Sequence, residues 1–209
     1  MIFEQFHKMG VIPIAVLDDA KNAVPLAETL CRNGLPCAEI IFNSAAEESI
    51  KIISREFPDI LVGAGRIMTA EQADRAMNAG AKFITSQGIN PEIVQHCIDS
   101  FIPVIPGAIT PSEVEQAINL GLNIVKFFPA EPAGGLPMIK ALSESYNNLR
   151  FMPAGGITKK NIRDYLSCGV ITACGINWIT ESELISSGRW DNVELLIKEA
   201  VKIVKEVRG

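Results

Sequence analysis

A lysine inside a strand-like apolar run is the first residue with chemical consequence. Lys126 sits in NIVKFFPA, flanked by Ile124, Val125, Phe127 and Phe128, and a second charge, Glu39, lies within CAEIIF. Charge is costly in such runs because burial strips an ion of its hydration. An amine in low-dielectric surroundings loses part of its preference for the charged form, and the neutral amine is the nucleophile that Schiff-base chemistry needs. A carboxyl group beside it can carry the protons that such chemistry exchanges. The same two residues also fit a buried Lys126–Glu39 ion pair with no reaction attached, and spacing alone leaves both open.

Other chemistries find less support. PAGGIT at 153–158 places Gly155 and Gly156 ahead of Thr158, so bare backbone amides at a helix start could hold an anion there. A plain Gly-Gly turn with an ordinary cap fits equally well. His7 and His96 are the only histidines and neither belongs to a ligand pair, so no metal is expected. The five cysteines, Cys31, Cys37, Cys97, Cys168 and Cys174, are odd in number and widely spaced. They read as small buried hydrophobes in a reducing compartment, with no positioned histidine to activate one as a nucleophile. A formal charge of -5 and a pI near 5.2 disfavour nucleic acid and anionic lipid. MIFEQFHKMG lacks the features of a secretory signal, and no apolar run reaches the ~18 residues of a membrane span, so a cytoplasmic protein is expected.

The elements that must position these residues alternate along the chain. Strand-like runs fall at Val11 to Leu17, Cys37 to Phe42, Ile60 to Gly65, Lys82 to Ser86, Ile102 to Pro106, Ile124 to Phe128, Arg150 to Pro153 and Ile171 to Cys174. Several, such as ILVGAG and IPVIPG, are apolar on nearly every residue, the mark of parallel strands covered on both faces. Between them lie helical segments with start signals at Asn43-Ser44, Thr69, Thr110-Pro111 and Thr158. Eight βα units, an extra N-terminal helix and a long last helix near Asn192 to Val207 predict a TIM (β/α)8 barrel in one domain over the 209 residues. An open doubly wound sheet is the alternative.

VIPIAVLDDAKNAVPLAETL, AEIIF, LVGAG, FIPVIPGAITPSE, VKFFPAE with Gly134-Gly135, FMPAGGIT and NIRDYL before ACGINW together resemble the class I aldolases for 2-keto-3-deoxy-6-phosphogluconate (KDPG) and 4-hydroxy-2-oxoglutarate (KHG). The resemblance spans nearly the whole chain, and VKFFPAE is its most specific motif. It implies that Lys126 is the Schiff-base lysine, that Glu39 is the general acid/base, that no cofactor is needed and that the barrel forms a homotrimer. The implied reaction joins or cleaves a 2-oxo acid, pyruvate and an aldehyde. Substrate-binding positions implied by the same motifs are Arg66, Asn43, Gln87, Pro106, Gly107, Phe128, Gly155, Gly156, Gly175 and Asn177.

Several of these positions depart from the family pattern. Asn43-Ser44 stands where the family has Arg-Thr, and Arg66 where it has Thr, so the cation for the substrate carboxylate has moved to a neighbouring strand end or serves as a solvated loop residue. Gln87 replaces a proline, Ala154 a threonine, and Gly175-Ile176-Asn177 stands for Gly-Gly-Ser at a phosphate. A branched Ile176 is expected to crowd an anion there. The departures gather at strand ends, which predicts altered specificity, natural or engineered, such as an unphosphorylated aldehyde. A trimeric scaffold without the reaction is the remaining alternative.

Overall fold

The computed structural model describes residues 2–209. Helix α1 (Ile2–Met9) precedes β1 (Val11–Ala15), and a 3-10 turn at Ala20–Asn22 leads into α2 (Ala23–Arg32). Then follow β2 (Cys37–Ile41), α3 (Ala46–Glu56), β3 (Leu61–Gly65), α4 (Ala70–Asn78), β4 (Ile84–Thr85) and α5 (Pro91–Asp99). The chain continues through β5 (Val104–Ile105), α6 (Pro111–Asn119), β6 (Ile124–Phe127), α7 (Gly135–Ser145), β7 (Arg150–Pro153) and α8 (Ile162–Leu166). It ends with β8 (Cys174–Ile176), α9 (Ser182–Ser186) and α10 (Trp190–Arg208).

This is an α/β fold whose strands pair in parallel throughout. They form a six-stranded sheet in the order β5-β4-β3-β2-β1-β8 and a two-stranded sheet, β6-β7. Single bridges join the two sheets: Gly107 to Lys126 on one side, Ala154 to Gly175 and Phe151 to Ile171 on the other. The expected single ring of eight full strands is thus two ladders with narrow joins, where the two-residue β5 meets β6 and the three-residue β8 meets β7. The eighth strand is also displaced. It runs over Cys174–Ile176, and Ile171 contributes only its bridge.

Helix starts follow local chemistry. Thr69 accepts from the amide of Gln72, and Thr110 forms a reciprocal capping box with Glu113 behind Pro111. Thr158 does not cap a helix. Its amide donates to Oδ1 of Asn161, its hydroxyl accepts from the amide of Lys160, and α8 begins only at Ile162.

The strands carry two cores. A large one lies between sheet and helices and includes Ala38, Ile40, Val125, Phe127, Cys174 and Ile176. A smaller one, on the opposite face of the strands, gathers Ile12, Cys37, Phe83, Ile105, Ile124, Met152 and Ala173, with Phe6 of α1 packed into it. Phe6 meets Phe83 edge to face at 5.0 Å. Strand alternation therefore sends Cys37 and Glu39, and likewise Ile124 and Lys126, to that second face. No helix among the described residues is long and apolar enough to cross a membrane.

Candidate active site

Glu39 is the central residue of β2 and Lys126 the third of β6, each standing one pleat above an apolar residue of the inner core. Nζ of Lys126 donates to Oε1 of Glu39 at 2.6 Å, with Lys126 3% and Glu39 0% exposed. Thr85 of β4 completes the group. Its hydroxyl donates to the same Oε1 at 2.9 Å and accepts from Nζ at 3.2 Å. The other oxygen of Glu39, Oε2, is buried and has no hydrogen-bond partner. A buried carboxylate oxygen normally finds a donor, and this one has none among the described residues.

Room for the carboxylate comes from β3. A Cβ on Gly65 would lie 2.2 Å from Oε1 of Glu39, a contact no side chain tolerates. Only glycine fits, because the strand backbone passes directly against the acid.

Above this group opens a cavity of about 490 Å³. Lys126, Arg66, Gln87, Phe128, Gly155, Gly175 and Asn177 line it, together with Ile14, Trp178, Glu181 and Ser182. Nζ of Lys126 stands 5.9 Å from the centre of the Phe128 ring. Arg66 is exposed, holds a left-handed backbone with φ 60, and pairs with no carboxylate among the described residues. A lysine bounded by an apolar ring, a free arginine and a second acid-base group can bind a carbonyl compound that carries an anion.

Seven of the positions expected at the substrate, Arg66, Gln87, Phe128, Gly155, Gly175, Asn177 and the lysine itself, share this lining. Four do not. Asn43 spends its amide on the chain, donating to the carbonyl of Leu17 and accepting from the amide of Ala45, both at 3.0 Å. Pro106 and Gly107 act through the backbone, because the carbonyl of Pro106 accepts from the amide of Lys126 and Gly107 bridges to it. Gly156 packs on Glu131, where a Cβ would meet that side chain at 2.6 Å. Ile176 does not crowd the cavity either. Its register with Pro13 of β1 turns the side chain into the helix-facing core, leaving Gly175 inward.

Two site residues escaped the sequence reading. Thr85 sits two residues beyond Phe83, and that spacing within the Lys82 to Ser86 run is the signal that could have placed it on the inner face. Trp178 lines the cavity with its indole Nε1 buried and without a partner, while Lys159 lies 5.2 Å over the ring. The three buried cysteines offer no competing nucleophile, while Cys31 and Cys168 are half-buried rather than in the core as expected. Burial pushes the Cys97 thiol up to about 11 and the Cys174 thiol up to about 12, and burial with the Glu39 charge raises that of Cys37 well above its ordinary value. No cluster of three or more His, Cys, Asp or Glu among the described residues is placed to hold a metal ion.

Comparison with known proteins agrees with this geometry. Residues 2–196 match the family model for KDPG and KHG aldolase. The 2-dehydro-3-deoxy-phosphogluconate aldolase of Haemophilus influenzae is 44% identical over 205 residues, covering 98% of this chain and 97% of that protein. The KHG/KDPG aldolase of Escherichia coli K12 is 33% identical over 196 residues, 93% of this chain and 92% of that one. Among solved structures, KDPG aldolase from Legionella pneumophila, with pyruvate captured at low pH as a covalent carbinolamine intermediate, superposes with a TM-score of 0.90. It is 35% identical and covers 93% of this chain and 95% of its own.

Proposed function

This chain belongs to the KDPG and KHG aldolase family, and from that premise we propose that Lys126 and Glu39 carry out its class I Schiff-base lyase reaction, joining pyruvate to an aldehyde and reversing the step. In the cleavage direction Glu39 takes a proton from the Lys126 ammonium across their 2.6 Å contact, and the neutral Nζ attacks the C2 ketone. Glu39 supplies the proton with which the carbinolamine loses water, leaving a protonated imine. The carboxylate so formed then removes the proton of the C4 hydroxyl, and the C3–C4 bond breaks. Its electron pair moves into the imine, the aldehyde leaves, and the resulting enamine is protonated at C3 and hydrolysed to pyruvate and free lysine. The imine is the electron sink, so the cycle is complete without a metal or organic cofactor.

One observation carries this reading: the buried 2.6 Å contact between Lys126 and Glu39 opens on a cavity and leaves the second carboxylate oxygen unpartnered. An ion pair serving only stability would bury both oxygens against donors. Borohydride added with pyruvate tests it directly. The expected result is a stable pyruvyl adduct on the peptide bearing Lys126, and its absence removes the mechanism.

The finer features belong to the same proposal. We read the two ladders as a closed eight-stranded barrel. In a flat sheet four strand steps would hold β2 and β6 about 19 Å apart, yet Glu39 and Lys126 touch. Arg66 takes the 2-oxo acid carboxylate, and Gln87, Phe128, Gly155, Gly175 and Asn177 bound the rest of the substrate. The aldehyde is decided by acceptor competition: a three-carbon phosphorylated aldehyde is the partner if the chain shares the substrate of the phosphogluconate relatives, and its unphosphorylated counterpart if the altered strand ends exclude phosphate. The assembly is a homotrimer in the cytoplasm, for which light scattering should return three times the 22.7 kDa chain mass.

A further inference from the structure

We propose that Thr85 is a positioning residue for this reaction, holding Glu39 so that Oε2 faces the substrate at every stage of the cycle. The proposal rests on the imine reading of Lys126. Its starting point is the asymmetry of the carboxylate: Oε1 accepts from both Lys126 and Thr85, at 2.6 and 2.9 Å, while Oε2 accepts from nothing. Two donors on one oxygen fix the plane of the acid, and the free oxygen is left as the one that exchanges protons.

The lysine alone cannot maintain that arrangement. An ammonium has three N–H donors, whereas the protonated imine formed on the same nitrogen has one. Lys126 therefore surrenders donors at the point where Glu39 must stay aimed. The hydroxyl of Thr85 is unaffected by that change. It lies on β4, is fully buried, and can go on donating to Oε1 while its oxygen accepts the remaining N–H at 3.2 Å. No proton passes through Thr85 on balance. It receives one hydrogen bond and gives one, before and after imine formation. Gly65 leaves the space that Oε1 occupies, since a Cβ there would lie 2.2 Å from it.

The test needs no aldehyde. Exchange of the pyruvate methyl hydrogens with deuterium oxide, followed by proton NMR, reports imine formation followed by proton removal at C3. Each rate is normalised to the subunits that borohydride traps with pyruvate, so unfolded protein does not enter. Thr85→Val, close in shape but without the hydroxyl, should lower the maximal exchange rate about tenfold or more, within the usual range for a positioned acid/base, and keep the pyruvate KM within about twofold. Thr85→Ser should return the rate to within about threefold of the parent. Equal rates for Thr85→Val and the parent would overturn the proposal. So would a Thr85→Ser variant as slow as Thr85→Val, because the loss would then follow packing and not the hydroxyl. If circular dichroism finds Thr85→Val unfolded, Thr85→Ala replaces it, with the same expected and refuting results. The parent protein separates the two readings: no adduct on parent Lys126 refutes the imine and this proposal together, whereas a normal adduct with exchange indifferent to Thr85 refutes this one alone.

Discussion

Replacing Arg66 with glycine should weaken pyruvate binding and stabilise the fold at once, two effects of opposite sign from one substitution. Arg66 holds φ 60 at the end of β3, a left-handed conformation that glycine adopts freely. A non-glycine residue there costs roughly 1–2 kcal/mol, and glycine returns roughly 0.5–1 kcal/mol of that through its greater freedom in the unfolded chain. The net gain is about 0.5–1 kcal/mol, which in a chain of this size raises Tm by roughly 1–4 °C. The guanidinium lines the cavity and pairs with no carboxylate among the described residues, so its contribution can go to a ligand. A charge-assisted hydrogen bond is worth about 1.5–3 kcal/mol, or a loss of about 10- to 150-fold in affinity.

Pyruvate concentration dependence of borohydride trapping gives the affinity, and a melt without ligand gives Tm. A lower Tm, or affinity indifferent to the change, refutes the role assigned to Arg66. Arg66→Thr, which returns the family's residue, is the poorer probe, because a branched side chain at φ 60 loses stability along with binding. Asn43→Arg in the Arg66→Gly background should recover much of the affinity, with the two changes non-additive because both serve one carboxylate. That recovery should come with a lower Tm, since Asn43 gives up its bonds to Leu17 and Ala45.

Glu39→Gln should keep the fold and the pyruvyl adduct while lowering turnover by roughly two to four orders of magnitude, read by steady-state kinetics, and unchanged turnover would remove Glu39 from the mechanism. Gly65→Ala puts a methyl group 2.2 Å from Oε1, so the acid must move; activity should fall about 100-fold or more, and a fully active variant would show that its placement is not critical. Thr110→Ala breaks the capping box of α6, outside the residues that line the cavity, and should cost about 1 kcal/mol in a denaturant melt with kcat unchanged.

How much of this was legible in the sequence depended on whether a residue was anomalous where it stood. Lys126 and Glu39 were, because charge inside an apolar strand is rare enough to require a reason. Thr85 was not. Threonine is an ordinary strand former, and nothing in its neighbours tells a hydroxyl that contacts the two charged groups from one that fills space. Arg66 was noticed as a cation, but its left-handed backbone depends on how β3 leaves the sheet, which no local pattern records. Thr158 does not cap a helix because its hydroxyl accepts from Lys160 in a turn and α8 starts only at Ile162, four residues on. Asn43 was expected in the pocket by position, and its short amide reached the backbone instead.

The eighth strand shows why register is the hardest quantity to read. Placing it over Ile171 to Cys174 left Gly175, Ile176 and Asn177 as a loop free to surround an anion. Pairing with β1 moves the strand to Cys174–Ile176, and alternation then turns Ile176 outward and Gly175 inward. The supposed obstruction becomes core, and the cavity gains space at Gly175. The same geometry bears on the two meanings open to Lys126 and Glu39, and supports the catalytic one proposed above. A pair retained for stability would saturate both carboxylate oxygens and lie sealed. Here three strands bring Lys126, Thr85 and Glu39 together on one oxygen, the other is left unpartnered, and the lysine borders a cavity with a free cation on its wall.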